Sequence, residues 1–349
     1  MNIKIRHSFF TAAGIGLAAL FFLQCSKQQP ETPAAPEAWE RVKSFPLIKG
    51  VPAGILHDDA GNLLVAIGPE FYGIHKVVVG KDGMPIPSGT IYRSKDGGKN
   101  WEPASDGIPE LTGILNIVRS DDGYLYILTR PSGIYRAESD GLLWRDISKN
   151  LPPDDGSAFA ISPKGTLYCG LDKRGLFRST DHGNTWKEIT GSLPDTRIVE
   201  IAVDDKENIV LMTKFKGGFH SSDGGVRWDS IPSRLFRYIS GGPYYGLYFG
   251  GNKFYAYASG SGIEVSSDRG TTWPKLMEQG VGPVFVFNDS TVYVGIHHGV
   301  ARLPRNGESG PHLLLTGMDT LSGIAAIGAD KNGTIFAATM RGLYRLANP

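Results

Sequence analysis

The side chains with the clearest chemical potential are bases and imidazoles that occur in short polar segments between apolar runs. Such groups bind anions, and a concave surface lined by one sign of charge concentrates ligands of the opposite sign. The alternative is that these loop side chains are simply solvated. The predicted ligand-binding residues of this class are Arg130, Lys173, Arg174, Lys214, Lys216, His297, His298 and Arg341.

A second candidate for ligand binding is aromatic. Residues 236–248 (FRYISGGPYYGLY) are dense in Tyr and Gly, and Tyr offers a ring with a polar end to a sugar or a protein. Tyr244 and Tyr245 are the predicted contact residues in this segment. The alternative interpretation is a strand with an irregular lead-in.

Catalytic chemistry has less support in the sequence. Asp154 and Asp155 could serve as acid and base only through a geometry that the sequence does not show. His297 and His298 form an isolated pair without the further ligands that a metal site needs. The sequence contains no phosphate-binding loop and no nucleophile elbow. We therefore expect no cofactor and no bound metal.

A repeated unit must position these side chains. Residues 175–186 (GLFRSTDHGNTW) contain a Ser-x-Asp-x-Gly-x-x-Trp frame, and tryptophans follow one another at intervals of 42 to 45 residues from 101 to 273. A worn copy ends at Trp144 and has Ser139 in place of the Asp. Such a period indicates one supersecondary unit stacked repeatedly. The four complete frames comprise Ser94, Asp96, Gly98, Trp101, Ser179, Asp181, Gly183, Trp186, Ser221, Asp223, Gly225, Trp228, Ser266, Asp268, Gly270 and Trp273.

The frame has a structural interpretation. Asp and Ser accept hydrogen bonds from backbone N–H groups in a tight turn, and Gly supplies a positive φ. The Trp is large enough to fix one unit against its neighbour. Calcium binding by the four Asp residues is the alternative, although no stretch has the ligand spacing of an EF-hand loop.

The frame resembles the Asp-box, or BNR, repeats of sialidases, sortilin-type receptor ectodomains, xyloglucanases and photosystem II assembly factor propellers. The resemblance implies a β-propeller whose boxes lie on the face away from the ligand site. The predicted ligand face is then formed by the loops between second and third strands and by the connections between blades.

The repeats predict an all-β fold, a seven-bladed β-propeller of four-stranded blades over residues 38–349. Seven apolar second strands can be counted, from residues 62–67 to residues 333–337. The seventh repeat lacks a box and a Trp, whereas Ala38-Trp39 at the other end looks like the opening of a fourth strand. We expect this N-terminal strand to close the last blade, which hides sheet edges.

The enzymes of the resembling families set a further expectation. Sialidases use an acid/base Asp, a Tyr nucleophile with a Glu, and three arginines, but their early Arg-Ile-Pro segment has no counterpart here. They also have six blades, and xyloglucanases usually carry two seven-bladed domains. Enzymatic activity stays uncertain from the sequence, and a glycoside hydrolase is the alternative to a binding protein.

The N-terminus predicts export. Residues 1–25 have a basic start and an apolar run too short to span a bilayer, and they end at Cys25. This pattern resembles a bacterial lipoprotein signal, although Gln24 departs from the usual small residue. Residues 26–37 are then a Pro-rich tether. The alternative is an ordinary secretory signal with an incidental Cys.

Together these features predict a lipid-anchored, extracytoplasmic propeller, periplasmic or on the cell surface. It is expected to be a monomer that binds an anionic glycan or a protein partner through its basic face. The formal net charge of +1 over 349 residues gives no signal for nucleic-acid binding. Contact with the membrane is expected through the lipid alone.

Overall fold

A computed structural model shows the arrangement of most of the chain. The described residues are 37–46, 50–68, 89–109, 112–130, 133–138, 143–154, 156–233, 235–237, 245–258, 261–278, 282–288, 291–303, 310–319 and 323–347. The predicted signal segment, residues 1–25, lies outside them, as do Tyr244, the insertion 69–88 and all of the predicted tether except its last residue.

The described residues form seven four-stranded antiparallel sheets and one 3₁₀ turn, Leu235–Arg237. Six sheets use four consecutive strands each, β2–β5 to β22–β25, and are blades 1 to 6. The predicted seven-bladed propeller is confirmed. The strands are β1 (Ala38–Arg41), β2 (Val51–His57), β3 (Leu63–Gly68), β4 (Thr90–Ser94), β5 (Glu102–Pro103), β6 (Gly113–Arg119), β7 (Leu125–Arg130), β8 (Gly133–Ala137), β9 (Arg145–Asp146), β10 (Gly156–Ile161), β11 (Leu167–Leu171), β12 (Gly175–Ser179), β13 (Lys187–Glu188), β14 (Ile198–Val203), β15 (Ile209–Thr213), β16 (Gly217–Ser221), β17 (Asp229–Ser230), β18 (Tyr245–Gly250), β19 (Lys253–Ala258), β20 (Gly262–Ser266), β21 (Lys275–Met277), β22 (Val284–Phe287), β23 (Thr291–Ile296), β24 (Gly299–Arg302), β25 (His312–Leu314), β26 (Ile324–Ala329), β27 (Ile335–Thr339) and β28 (Gly342–Ala347).

Blade 7 joins the two ends of the propeller, in the order β1-β28-β27-β26. Strand β1 pairs antiparallel with β28, and Ala38 lies opposite Ala347. The guanidinium of Arg345 donates to Glu40 Oε2 at 2.7 and 3.0 Å across this pair. The expected closure by the N-terminal strand is therefore confirmed.

The second strand of a blade is its most buried element. Every residue of β3, β11, β15 and β27 is buried, because both faces of these strands pack against neighbouring blades. Cys169 lies in β11, and burial raises the pKa of its thiol to about 12. Because both faces of a second strand are buried, its sequence is a continuous apolar run rather than an alternation of apolar and polar residues.

The turn between third and fourth strands, here called the box turn, is closed by the Ser-x-Asp-x-Gly frame. Ser179 Oγ donates to Asp181 Oδ1 at 2.8 Å and accepts from the N–H of Gly183 at 2.9 Å. Asp181 Oδ1 also accepts from the N–H of Thr185. Hydrogen bonds from Thr185 lower the pKa of the Asp181 carboxyl to about 2. Within the described ranges, no group of three or more His, Cys, Asp or Glu residues could hold a metal ion.

The tryptophan that follows the turn joins each blade to the preceding one. In four blades the indole N–H donates to a backbone carbonyl of the blade before it, at 2.9 to 3.1 Å. These bonds run from Trp39 to Leu314, from Trp144 to Ala104, from Trp186 to Ile147 and from Trp228 to Thr190.

Blades 1 and 5 use a different contact. The indole N–H of Trp101 and of Trp273 donates to the Gly of its own box turn, Gly98 at 3.2 Å and Gly270 at 2.8 Å. A phenylalanine from the preceding connection packs edge-on against each ring, with centroids 4.8 Å apart for Phe45–Trp101 and 5.0 Å apart for Phe236–Trp273. The six tryptophans thus share a position in the blade but not a hydrogen-bond partner.

In the part of the chain that the structure describes, no helix has the length and apolar character needed to span a membrane.

We expect Trp144→Phe to destabilise the ring because it leaves the Ala104 carbonyl unpaired at a buried contact between blades 1 and 2. The expected loss is about 1–3 kcal/mol, measured as a lower Tm in thermal unfolding. Trp101→Phe is the matched control, since its indole bonds only its own turn. Equal losses in both variants would contradict the role assigned to the contact between blades.

Candidate functional site on the loop face

The two ends of each blade carry different segments. Leu171 pairs with both Gly156 and Gly175, so the start of β10 and the turn between β11 and β12 meet at one end of blade 3. At the other end, Leu167 pairs with Ser179, the first residue of the box turn. We call the first end, with the same end of the other blades, the loop face.

The predicted basic residues lie at this face, but on two groups of blades. Arg130 ends β7 in blade 2, and the other bases of the first group lie in turns after the second strands of blades 3 and 4. They form an arc over three consecutive blades. His297 and His298 belong to blade 6 and Arg341 to blade 7. The arc comprises Arg130, Lys173, Arg174, Lys214 and Lys216.

Carboxylates from the blade connections hold several of these turns. Asp154 Oδ2 accepts from the N–H of Lys173 at 2.8 Å, and Asp195 Oδ2 accepts from the N–H of Phe215 at 2.9 Å. In blade 7, Arg341 Nη1 donates to Asp319 Oδ2 at 3.1 Å. The charge of the face is therefore mixed, with acids bound to the turns that carry the bases.

Phe215 is the most exposed aromatic contact of the arc. The residue is 63% exposed in the turn after β15. The guanidinium of Arg197 lies 5.1 Å from its ring centroid and Lys214 Nζ lies 5.7 Å away. Both distances are within the range of cation–π attraction. Sequence reasoning missed Phe215, although an apolar residue between Lys214 and Lys216 in a predicted turn is a usable signal.

The two histidines of blade 6 are exposed and stack edge-on, with ring centroids 5.2 Å apart. They are not brought together with the arc of blades 2 to 4. Tyr245 begins β18, the first strand of blade 5, and it is half-buried.

The inner strands that surround the channel carry β-bulges in five blades. Each bulge inserts one residue near the start of the ladder, after the first pair in blades 3, 4 and 7 and after the second pair in blades 1 and 2. Such an insertion re-aims the following side chain. The inserted residues are Ala53, Leu115, Ser157, Val199 and Ala325.

Polar side chains at the bulges reach the free backbone edge of the next inner strand. Asn116 Nδ2 donates to the Phe159 carbonyl at 3.4 Å, and Ser157 Oγ donates to the Ile198 carbonyl at 2.5 Å. In blade 4 the Glu200 carboxyl accepts from the N–H of Leu247. These contacts pair groups that an inner strand would otherwise leave open to the channel.

Glu200 is a titratable group on this wall. Protein surrounds its carboxyl while solvent still reaches the side chain, as expected for a residue that lines a channel. Burial raises the pKa of Glu200 to about 8, and the N–H of Leu247 opposes part of that rise. The carboxyl is therefore mainly protonated at neutral pH.

Tyr245 and Arg130 complete this environment. Burial and the charge of Glu200 raise the pKa of the Tyr245 phenol to about 12, whereas the charge of Arg130 lowers it. Arg130 belongs to blade 2 and Tyr245 to blade 5, so they act on each other across the channel mouth. Arg130 Nη2 also donates to the Gly156 carbonyl of blade 3 at 3.4 Å.

Sequence reasoning also missed Glu200. The available signal was a single charge inside the apolar run Ile198–Val203. The other bulged blades carry Gly, Asn or Ala at this register, so their inner strands are uncharged there.

Comparisons with known proteins bear on the fold. No family model and no curated protein matches this chain. The structure of YCF48 bound to D1 peptide has a TM-score of 0.63 at 13% identity, covering 92% of this chain and 98% of that one. A streptogramin B lyase has a TM-score of 0.64 at 11% identity, with 89% and 97% coverage. The extracellular domain of the putative hybrid two-component system BT3049 from B. thetaiotaomicron has a TM-score of 0.64 at 13% identity. The match covers 90% of this chain and 42% of that one.

These structures support the propeller family at the level of the fold. The finer assignment to Asp-box repeats stays a prediction, as does the lipoprotein signal.

Glu200→Gln is expected to change how stability depends on pH. The folded-state pKa of about 8 lies above the ordinary value of 4.5, so the folded protein keeps a proton that the unfolded chain has lost. Glu200 therefore makes a contribution to the free energy of unfolding of the wild type that decreases as pH rises from about 5 to about 8. Gln does not titrate, so the Tm of the variant relative to that of wild type should increase as pH rises from about 5 to about 8.

The matched control is Glu188→Gln at an exposed position of β13. A Tm difference for Glu200→Gln that stays constant from pH 5 to pH 9 would show that Glu200 is not a buried proton site.

Proposed function

We propose that this protein is an exported, lipid-anchored binding module without catalytic activity. Its loop face over blades 2 to 4 binds an anionic segment of a protein partner, with an anionic glycan as the second ligand class. The observation that supports this most is Phe215, which lies exposed between the cations of Arg197 and Lys214.

The patch formed by Phe215, Arg197 and Lys214 contains residue types that contribute strongly to binding in protein interfaces. Aromatic residues and Arg contribute most of the binding free energy in many protein interfaces. Asp195 holds the backbone of both Arg197 and Phe215, at 3.1 and 2.9 Å, so less conformational freedom is lost on binding. The neighbouring cations of blades 2 and 3 would steer an acidic partner to the patch.

The protonation state of Glu200 is compatible with an anionic ligand. Below a pH of about 8 its carboxyl is mainly neutral and does not repel a negative group at the channel mouth. Arg130 supplies positive charge to the same environment. Binding should therefore weaken as Glu200 ionises.

Two neighbours of the same fold support the choice of ligand and compartment by analogy. YCF48 has been seen with a D1 peptide, and the BT3049 propeller belongs to an extracellular domain. At these identities the analogy is one of fold, so it supports the proposal without carrying it.

A glycoside hydrolase is the second candidate. The observation in its favour is Glu200, because a carboxyl whose pKa is raised by burial is what a general acid requires. Such an enzyme needs a second carboxylate across the site. The charges that act on the nearby phenol of Tyr245 are those of Glu200 itself and of Arg130, and neither supplies a second carboxylate.

The binding proposal predicts a large effect of charge reversal. Changing Lys173, Arg174, Lys214 and Lys216 together to Glu should abolish salt-sensitive binding of a fluorescein-labelled hexaglutamate peptide and of hyaluronan, measured by fluorescence anisotropy and on a glycan array. The reversal replaces attraction by repulsion at the arc.

The matched control places the same charge change at the box-turn end, at the exposed residues Lys99, Lys164, Lys206 and Arg227. Unchanged affinity of the loop-face variant, or an equal loss in the control, would refute the basic-face proposal. Turnover of a glycan by wild type that Glu200→Gln removes would establish the hydrolase instead.

The anchor proposal predicts that Cys25→Ala releases the protein from the membrane. Full-length wild type expressed in a Gram-negative host should sediment with membranes and incorporate labelled palmitate, whereas the variant should do neither. Palmitate in the Cys25→Ala protein would mean that another residue carries the lipid, and exported wild type that is soluble and unlabelled would favour an ordinary secretory signal.

A further inference from the structure

One position of the third strand carries an aromatic ring in most blades. In blades 1 to 4 it lies two residues before the end of the third strand. These rings pack with the blade's tryptophan against the preceding blade, and blade 7 packs Tyr344 beside Trp39 in the same way. The aromatic residues are Tyr92, Tyr135, Phe177 and Phe219.

Blade 5 has a carboxylate there. Glu264 lies two residues before Ser266, the last residue of β20. The ring that blades 1 to 4 and blade 7 place at this contact is therefore missing from the third strand of blade 5, and blade 6 has the small residue Ala301 at the same position. Trp273 packs against blade 4 in the cluster that contains Met212 and Phe236, while its indole N–H bonds Gly270 of its own turn.

A cleft of about 570 Å³ lies where the ring is missing. It is lined by blade 5 and by the connection that leads into it. The lining includes the side chains of Ser233, Leu235, Glu264, Thr272, Trp273 and Glu278.

The backbone around the cleft also departs from the other blades. A β-bulge interrupts the pairing of β20 with β21 between Ile263 and Glu264, whereas the other pairs of third and fourth strands within the described ranges have no register shift. The connection into blade 5 has 14 residues, 231–244, whereas the connection 189–197 into blade 4 has nine. Bulges of this kind often re-aim side chains beside binding sites.

The lining groups are arranged for hydrogen bonding. Ser233 Oγ donates to Glu264 Oε2, and the other oxygen of Glu264 has no partner among the described residues. Lys275 Nζ lies 2.7 Å from Glu278 Oε2, which leaves this pair near neutrality. Ser and Thr hydroxyls can both donate and accept, and Trp273 adds an apolar ring.

We propose that this cleft binds a neutral pyranose sugar. A pyranose is close in size to the missing ring, its hydroxyls suit the carboxylate and hydroxyl groups of the lining, and its C–H face suits Trp273. The carboxylate of Glu264 disfavours anionic sugars, and the hydroxyl and carboxylate groups of the lining disfavour a wholly apolar ligand such as a phenylalanine side chain. This site lies apart from the loop face and does not rest on the function proposed for that face.

The test is isothermal titration calorimetry of the full-length protein with cellohexaose, xylohexaose, mannohexaose and chitohexaose. Wild type should bind at least one of them. Glu264→Phe, which restores the ring that blades 1 to 4 carry, should weaken binding at least about tenfold without lowering the Tm. Glu264→Gln should weaken it less, since it keeps the shape and loses the charge.

Glu188→Gln and the fourfold loop-face variant serve as controls that should bind the sugar as wild type does, which separates this site from the loop face. If Glu264→Phe fails to fold, Ser233→Ala replaces it with the same expected direction. Absence of binding to all four saccharides, equal affinity in the Glu264 variants, or binding of a tyrosine tripeptide alone would each overturn the proposal.

Discussion

The contact between each blade and the one before it is the constraint on which this structure depends. A four-stranded sheet of this length cannot bury both of its faces alone, so its apolar second strand requires a neighbour on each side. The indole N–H of Trp186 reaches the Ile147 carbonyl of the preceding blade, and Phe177 packs beside it. The box turn delivers the tryptophan to this place, which explains why Ser, Asp and Gly recur at fixed offsets before it.

As a result, the two ends of the ring and the wall of its channel have different structural roles. The box-turn end is occupied by hydrogen bonds within the turns, and the loop face carries side chains that the packing does not need. Between them, the inner strands expose backbone groups to the channel, and bulged residues such as Ser157 bridge to the next strand. Glu200 follows the same structural rule, but it places an ionisable group where the other bulged blades have an uncharged one.

Much of the fold could be predicted from the sequence, because the repeat places the same residue types at the same offsets in successive units. The seven blades and the closing strand β1 followed from counting second strands and from matching Trp39 to the later tryptophans. The site was harder to predict. Phe215 depends on Arg197, a residue of a different segment, and the effect of Arg130 on Tyr245 crosses three blades. Glu264 was visible as a departure from the aromatic pattern, but the cleft beside it depends on the volume that the missing ring leaves.

The pairing of Ala38 with Ala347 also has a consequence for biosynthesis and topology. In the folded ring no blade comes first, since a chain opened at the connection 189–197 and joined from 347 to 38 would trace the same seven sheets in rotated order. Blade 7 differs in having no box turn between its third and fourth strands, and in the time that separates the synthesis of these two strands. Glu40 leaves the ribosome 305 residues before its partner Arg345, so β1 must wait unpaired while six complete blades emerge. The pairing of β1 with β28 is therefore the last strand pairing that a nascent chain can form. Until then the incomplete propeller must remain soluble with the edge of β1 unpaired.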